Sequence, residues 1–295
     1  MDQAQSLREY MDRFNAGQQD TKHSARVITI TSGKGGVGKS NFTLNFALGL
    51  KALGKKVVVL DLDLSTANID ILMGITPRHS LLDVLYQRKY ISEVLEKGTS
   101  GIEYISGGFE IEDLMKLDDR ILAFFWSQIQ ELQNYADFIL LDTGAGISKE
   151  LVDFILASDE TILVTTPEPT SIADSYAVLK TVVQSSKQHP KFRLVINRAQ
   201  SYREAVDTSR AMKNACSNFL KLKLNTMGFI MEDARVRECV RMQTPFIVKY
   251  PNCEAAKNIK QIVHSYFPEK EGKSEAPIKG IKGFFEKMLL LGRTF

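Results

Sequence analysis

An apolar β-branched run, a glycine-rich loop and an apolar helical pattern follow one another between Arg26 and Leu53. No other part of the chain limits its possible folds so tightly. Arg26-Val27-Ile28-Thr29-Ile30-Thr31 predicts a buried strand. Gly33-Lys34-Gly35-Gly36-Val37-Gly38-Lys39-Ser40 fits G-x-x-x-x-G-K-[ST], a phosphate-binding loop. Ser40 to Leu53 is apolar at helical spacing, and Gly54 stops it. The motif requires that strand–loop–helix context. Glycines let backbone N–H groups approach phosphates without a Cβ in the way, and the helix N-terminus adds its dipole. Lys39 is expected at the β/γ phosphates and the Ser40 hydroxyl on Mg²⁺, with Asn41 next in line. Lys34 is one lysine too many for this loop. It is hard to place on the same side of the same nucleotide, so one reading sends it to a nucleotide held by another subunit.

The rest of the chain keeps the same rhythm. Apolar runs at 56–61, 102–106, 137–142, 160–165, 192–197 and 226–230 predict strands, and helical patterns fall between them. Alternating βα units predict an α/β fold, a mostly parallel twisted sheet with helices on both faces. A chain of 295 residues with no internal repeat suits one large domain. Its net charge of +3 is too small to imply nucleic-acid binding by itself. Three cysteines without metal-ligand spacing read as buried, reduced thiols. The polar N-terminus has no signal peptide, and no run approaches the roughly 20 apolar residues of a membrane span.

Phosphoryl transfer to water needs a metal and a positioned water more than covalent chemistry. Two strand ends supply carboxylates. Asp142 follows four apolar residues, as a Mg²⁺-holding carboxylate does. Asp61 and Asp63 end the strand after the loop helix. Such carboxyl ends converge on the ligand crevice of an open parallel sheet. Asp63, the last acidic residue of this strand end, is the candidate to orient the attacking water. Thr143-Gly144-Ala145-Gly146 follows Asp142 as a segment free to respond to the γ-phosphate.

Lys34 with Lys39, Asp61-x-Asp63 with Asn68 and Asp70, and Asp142-Thr143-Gly144-Ala145-Gly146 together resemble the deviant Walker A ATPases of the MinD/ParA class. The resemblance spans 27–267. It implies ATP/ADP and Mg²⁺ as ligands and an ATP-dependent homodimer in which Lys34 reaches the other subunit's phosphates. It implies weak, regulated ATP hydrolysis with Lys34, Lys39 and Asp63 as catalytic residues, and Ser40, Asp63 and Asp142 at the metal. Asn197 and Arg198 match the position that reads adenine, and an Asn amide can both accept from and donate to that edge; a helix cap is the other reading of Asn197. Glu232 falls where family members close the base pocket. Thr143-Gly144 stands where division-site members usually have Ser-Pro, and the cysteine positions do not suit the iron–sulfur carriers of the class.

The two ends point to a branch. Ile278, Ile281, Phe284, Phe285, Met288 and Leu289 fall on one helical face, flanked by Lys279, Lys282 and Lys287. A basic amphipathic helix carrying Phe suits an anionic membrane interface. The alternative is a terminal helix docked on its own domain. At the other end, Asp2-Gln3-Ala4-Gln5-Ser6-Leu7-Arg8 resembles the activating segment of the flagellar number regulators, the FlhG (YlxH) family. That resemblance implies contact of Gln3, Leu7 and Arg8 with an FlhF-type GTPase, and engagement of flagellar switch (C-ring) proteins. The expected organisation is a GTPase-activating segment (1–25), a MinD-like ATPase domain (26–267), a linker (268–277) and a membrane-targeting helix (278–293). The expected location is the cytoplasm and, with nucleotide, the inner face of the cell membrane. No specific nucleic acid is expected. DNA partitioning in the ParA manner and division-site regulation are the competing roles.

Overall fold

A computed structural model describes residues 24–63, 68–107, 119–267 and 280–292. The described strands form one sheet in the order β3-β4-β2-β5-β1-β6-β7-β8. The central strand β1 (Arg26–Thr31) pairs in parallel with β5 (Phe138–Thr143) on one side and β6 (Glu160–Thr165) on the other. Beyond β5 lie β2 (Val57–Leu62) and β4 (Glu103–Ser106), and beyond β6 lie β7 (Lys191–Ala199) and β8 (Leu224–Met231). Every ladder is parallel except the two-residue edge strand β3 (Glu96–Lys97), which runs antiparallel to β4. Parallel strands buried on both faces explain why the runs read as continuous Val, Ile and Leu rather than as alternation. The crossovers diverge on either side of β1 and β5, which opens a crevice at their carboxyl ends. Register puts Asp61 beside Asp142 there.

One face of the sheet is covered by α1 (Lys39–Ala52) and, near the C-terminus, α11 (Glu254–Tyr266). These two approach so closely that a Cβ on Gly49 would sit 2.7 Å from Val263. The opposite face carries α5 (Asp119–Tyr135), α6 (Lys149–Ala157), α7 (Pro169–Ser185) and α8 (Tyr202–Ala215), the last prolonged by a π turn over Cys216–Leu220. Helix patterns anticipated these elements within a few residues. Five short helices have no counterpart in the sequence reading: α2 (Ile69–Met73), α3 (Leu81–Leu85), α4 (Ile91–Val94), α9 (Ala234–Arg241) and α10 (Phe246–Lys249). With so few turns each, their apolar positions are too sparse to show a period.

The C-terminal helix takes the docked arrangement, the second of the two that its sequence allowed. It runs over Gly280–Gly292 as α12 and packs against α5 and α6, sharing a buried apolar core with them. Ile281, Phe284, Phe285 and Met288, read as a membrane-facing stripe, are buried in this state. Phe285 meets Phe125 edge-on at 5.3 Å, and Phe284 stacks on Phe154 at 6.0 Å. Each such side chain contributes roughly 1.5–3 kcal/mol of burial, opposed by the ordering of a tethered helix. The lysines are drawn in as well. Lys287 Nζ donates to the Leu156 carbonyl at the end of α6, and the Lys282 backbone N–H donates to Gln133 Oε1 at 2.9 Å. The same apolar periodicity serves a lipid surface or a protein groove, so periodicity alone could not choose. Ile278, Gln3, Leu7 and Arg8 lie outside the described residues, and the side chain of Leu289 is likewise not described.

Candidate functional site

The loop 33–40 turns tightly between β1 and α1. Gly38 holds φ +88° at the N-cap of α1 and offers no side-chain cap, so the first helical N–H groups are left for a ligand. A Cβ on Gly38 would lie 2.5 Å from Asn197 Nδ2, whereas Gly35 and Gly36 face open space. Gly33 is required for a different reason. Its Cβ would strike the Asp174 backbone of α7 at 2.2 Å, so this glycine lets the loop lie on a helix rather than on phosphate.

Lys39 Nζ donates to Asp142 Oδ1 at 2.8 Å and to Ser40 Oγ at 3.3 Å. Thr43 Oγ1 also donates to Asp142 Oδ1, at 2.8 Å. The other carboxylate oxygen, Oδ2, is buried without a partner. A buried carboxylate oxygen left bare is costly unless a ligand completes it. Lys34 points elsewhere: its Nζ donates to Thr170 Oγ1 at 2.9 Å and pairs with Glu168 at 3.4 Å. Both ends of that ion pair are more than a third exposed, so it contributes little and exchanges easily.

Asp61 and Asp63 separate because β2 ends at Leu62: alternation would put residues two apart on one face, but Asp63 stands beyond the strand. Asp61 is buried at the end of β2 and accepts from the backbone N–H groups of Asn68 (2.9 Å) and Ile69 (3.1 Å), fastening the start of α2. Asp63 is half-buried, accepts from Asn68 Nδ2 at 3.2 Å, and lies beside Gly144 of the segment after β5. Burial, and then the facing charge of Asp142, push the Asp61 carboxyl from 3.8 up to about 6. A carboxyl raised on folding contributes stability that is present below its unfolded pKa and lost as pH rises through its folded one. Stability should therefore fall by up to roughly 3 kcal/mol from this group as pH rises from about 4 to above 6. Asp61→Asn keeps an acceptor for the two helix N–H groups and should flatten that slope in urea denaturation across pH; an unchanged slope would refute the assignment.

Thr143 Oγ1 donates to the Ile30 carbonyl at 3.1 Å, and the Gly146 N–H donates to the Ser32 carbonyl at 3.1 Å. The segment after Asp142 is thus tied to the strand that feeds the phosphate loop. It leads directly into α6, whose N-cap Ser148 accepts from Leu151 N. The far end of α6 is the floor under α12.

On the other side of the loop lies a cavity of about 380 Å³, within the range of small-molecule sites. Gly36, Asn41, Asn197, Arg198, Glu232, Val236 and Phe246 help to line it. Asn197 is in β7 and caps no helix; its Nδ2 donates to the Val37 carbonyl at 2.7 Å. Arg198 sits at a register shift between β7 and β8 with φ +59°, a left-handed conformation uncommon for a non-glycine residue. That backbone aims its guanidinium at Glu232 (3.1 Å) and at the Gly36 carbonyl (3.4 Å). Arg237 holds the other Glu232 oxygen at 3.1 Å. The structure therefore brings together Lys39, Ser40, Asp63 and Asp142 at one end of the loop and Asn197, Arg198 and Glu232 at the other. Glu168 and Thr170, which hold Lys34, and Arg237 carried no sequence signal. Thr43 did carry one, since i+4 from Lys39 shares its helix face.

These residues fit a nucleotide and a divalent cation: bare helix N–H groups, an open glycine side, a buried lysine and an unsatisfied carboxylate oxygen. Such a loop at the switch point of a parallel sheet defines a P-loop nucleotide hydrolase. The chain belongs to the ParA family, whose profile, described as "NUBPL iron-transfer P-loop NTPase", matches residues 23–266. It is an ATP-binding protein and an ATPase of the MinD/ParA type. The three cysteines are buried free thiols, and no group of three or more His, Cys, Asp or Glu side chains stands together among the described residues. The chain is 33 % identical over 245 residues to the antiactivator FleN of Pseudomonas aeruginosa, covering 83 % of this chain and 87 % of that protein. It is 32 % identical over 272 residues to the flagellum site-determining protein YlxH of Helicobacter pylori, covering 92 % of both. The septum site-determining protein MinD from Pyrococcus horikoshii, solved with Mg-ADP, superposes with a TM-score of 0.65 at 26 % identity, covering 82 % of this chain and 96 % of that one.

Proposed function

We propose that this chain is an ATP-switched, membrane-associating regulator of flagellar number and placement. ATP binds across the loop 33–40 with adenine near Asn197 and Arg198, and Glu232 closes the base side. Ser40, Asp63 and Asp142 hold Mg²⁺, which neutralises phosphate charge when bound. Asp63 orients the attacking water. Lys34 leaves Glu168 and Thr170 to reach the nucleotide of a second copy, making ATP a condition for the homodimer. Hydrolysis is weak and regulated. Dimerisation frees α12 from its groove, and two helices on one dimer raise membrane avidity by about 10²–10⁴ if both reach the surface. Residues 2–8 activate an FlhF-type GTPase, and flagellar switch proteins are further partners.

One observation carries the reading. The segment after Asp142 leads through the nine residues of α6 to the contacts that hold the apolar stripe of α12. A change at the γ-phosphate thus has a short rigid route to the docked helix. The likeness to a protein named for a flagellar role supports the choice of process. No helix among the described residues is long and apolar enough to cross a membrane, which suits a peripheral attachment.

The test is oligomeric state and sedimentation with anionic vesicles, measured with ATP and with ADP. Wild type should dimerise and sediment with ATP only. Lys34→Ala should stay monomeric and unbound, and Asp63→Ala should accumulate as a bound dimer. Equal vesicle binding with both nucleotides would overturn the switch, and normal dimerisation of Lys34→Ala would remove its role in the other subunit. GTPase activation that survives deletion of residues 2–8 would remove the N-terminal assignment.

A further inference from the structure

Thr43 belongs to none of the motifs, yet it touches the carboxylate on which the site turns. It lies one helical turn beyond Lys39 on α1 and is fully buried. Its Oγ1 is 2.8 Å from Asp142 Oδ1 and 3.0 Å from the Lys39 carbonyl. A hydroxyl has one proton to give, and a carboxylate is the stronger acceptor. Lys39 Nζ converges on the same oxygen at 2.8 Å. Two donors on Oδ1 fix the rotation of the carboxyl group and leave Oδ2 buried with no partner.

The two donors differ in what nucleotide does to them. Lys39 rides on a flexible stem and is the charge a triphosphate draws toward itself, so its hold on Asp142 weakens when the loop is filled. Thr43 is β-branched, locked in a helix interior with few rotamers, and too short to reach the phosphates. It is the donor that stays. We propose that Thr43 is a positioning residue for Asp142: its hydroxyl keeps Oδ1 engaged while nucleotide is bound and so leaves Oδ2 available to the Mg²⁺ that the site would hold. This rests on the metal assignment proposed above.

Thr43→Val preserves shape and removes the donor, whereas Thr43→Ser keeps it. The probe is ADP binding by calorimetry, with Mg²⁺ and with Mg²⁺ chelated, joined to steady-state ATP hydrolysis. Losing one hydrogen bond to a charged group should reduce the gain in ADP affinity that Mg²⁺ confers by about tenfold. Affinity without Mg²⁺ should be unchanged, kcat should fall while KM for ATP moves little, and Thr43→Ser should restore both. A Thr43→Val protein with the wild-type Mg²⁺ gain overturns the proposal. So does Thr43→Ser failing as badly as valine, or an equal loss of affinity without Mg²⁺, since either points to packing alone. If wild type itself gains nothing from Mg²⁺, the metal assignment falls and this role falls with it; the variant results above overturn this role while leaving the metal in place.

Discussion

Lys39→Ala should lower kcat/KM for ATP hydrolysis by at least about 10²–10³-fold, the usual cost of removing a preorganised charge from a transferring phosphoryl group. It should also destabilise the free protein, which few substitutions of a surface loop do. Lys39 is 6 % exposed and its partner Asp142 is fully buried. Removing the cation leaves Asp142 with the Thr43 hydroxyl as its remaining donor and no compensating charge. Breaking a buried pair on one side costs about 3–5 kcal/mol. Chemical denaturation without nucleotide checks this directly. Stability matching wild type would mean that the pair contributes nothing to the free state, and that Lys39 is held for ligand alone.

Phe154→Ala should convert the protein toward a membrane-binding form in the absence of ATP. The Phe154 ring stacks on Phe284 with an interplanar angle of 12°, and it belongs to the groove rather than to the helix. The substitution therefore weakens docking while leaving the apolar stripe of α12 intact. Truncating a buried Phe costs about 3–5 kcal/mol when the site cannot collapse. Part of that falls on α6 itself, so a tenfold or greater rise in the undocked population is a conservative expectation from about 1.4 kcal/mol assigned to docking. Sedimentation with anionic vesicles in ADP should rise toward the wild-type ATP level. Phe284→Ala is the contrasting variant: it loosens the same contact but removes a membrane anchor, so it should bind less at saturation. Vesicle binding by Phe154→Ala that stays at the wild-type ADP level would show that the groove does not govern attachment.

Much of the phosphate site was legible because its chemistry is local. Gly38 and Lys39 must follow one another at a helix N-terminus for the N–H groups and the ammonium to serve one ligand, so spacing reveals them. Asp142 was legible because two strand ends carry acids alongside a phosphate loop; a single strand-end Asp reads equally well as turn chemistry. Asn197 and Arg198 were placed by resemblance, and the fold then put them across the loop from Lys39 and Asp142. The partners were not legible. Glu168 and Thr170 are far from Lys34 in sequence, as Arg237 is from Arg198, and only strand order brings each set together.

The amino-acid sequence by itself determined the fold class, the phosphate loop and the carboxyl-end aspartates, because hydrophobic period and short-range turn chemistry act within a few residues. It also determined that the last helix has one apolar face. It did not determine what covers that face, since burial depends on area removed from water and lipid and protein remove it alike. Tertiary structure decided this by opening a groove between α5 and α6 lined by Phe125, Trp126 and Phe154. It likewise decided where the second lysine rests. The sequence shows Lys34 as surplus to one nucleotide. Only the packing of α7 beneath Gly33 brings Glu168 and Thr170 within reach of it, because the glycine permits a close contact without showing which distant helix makes it.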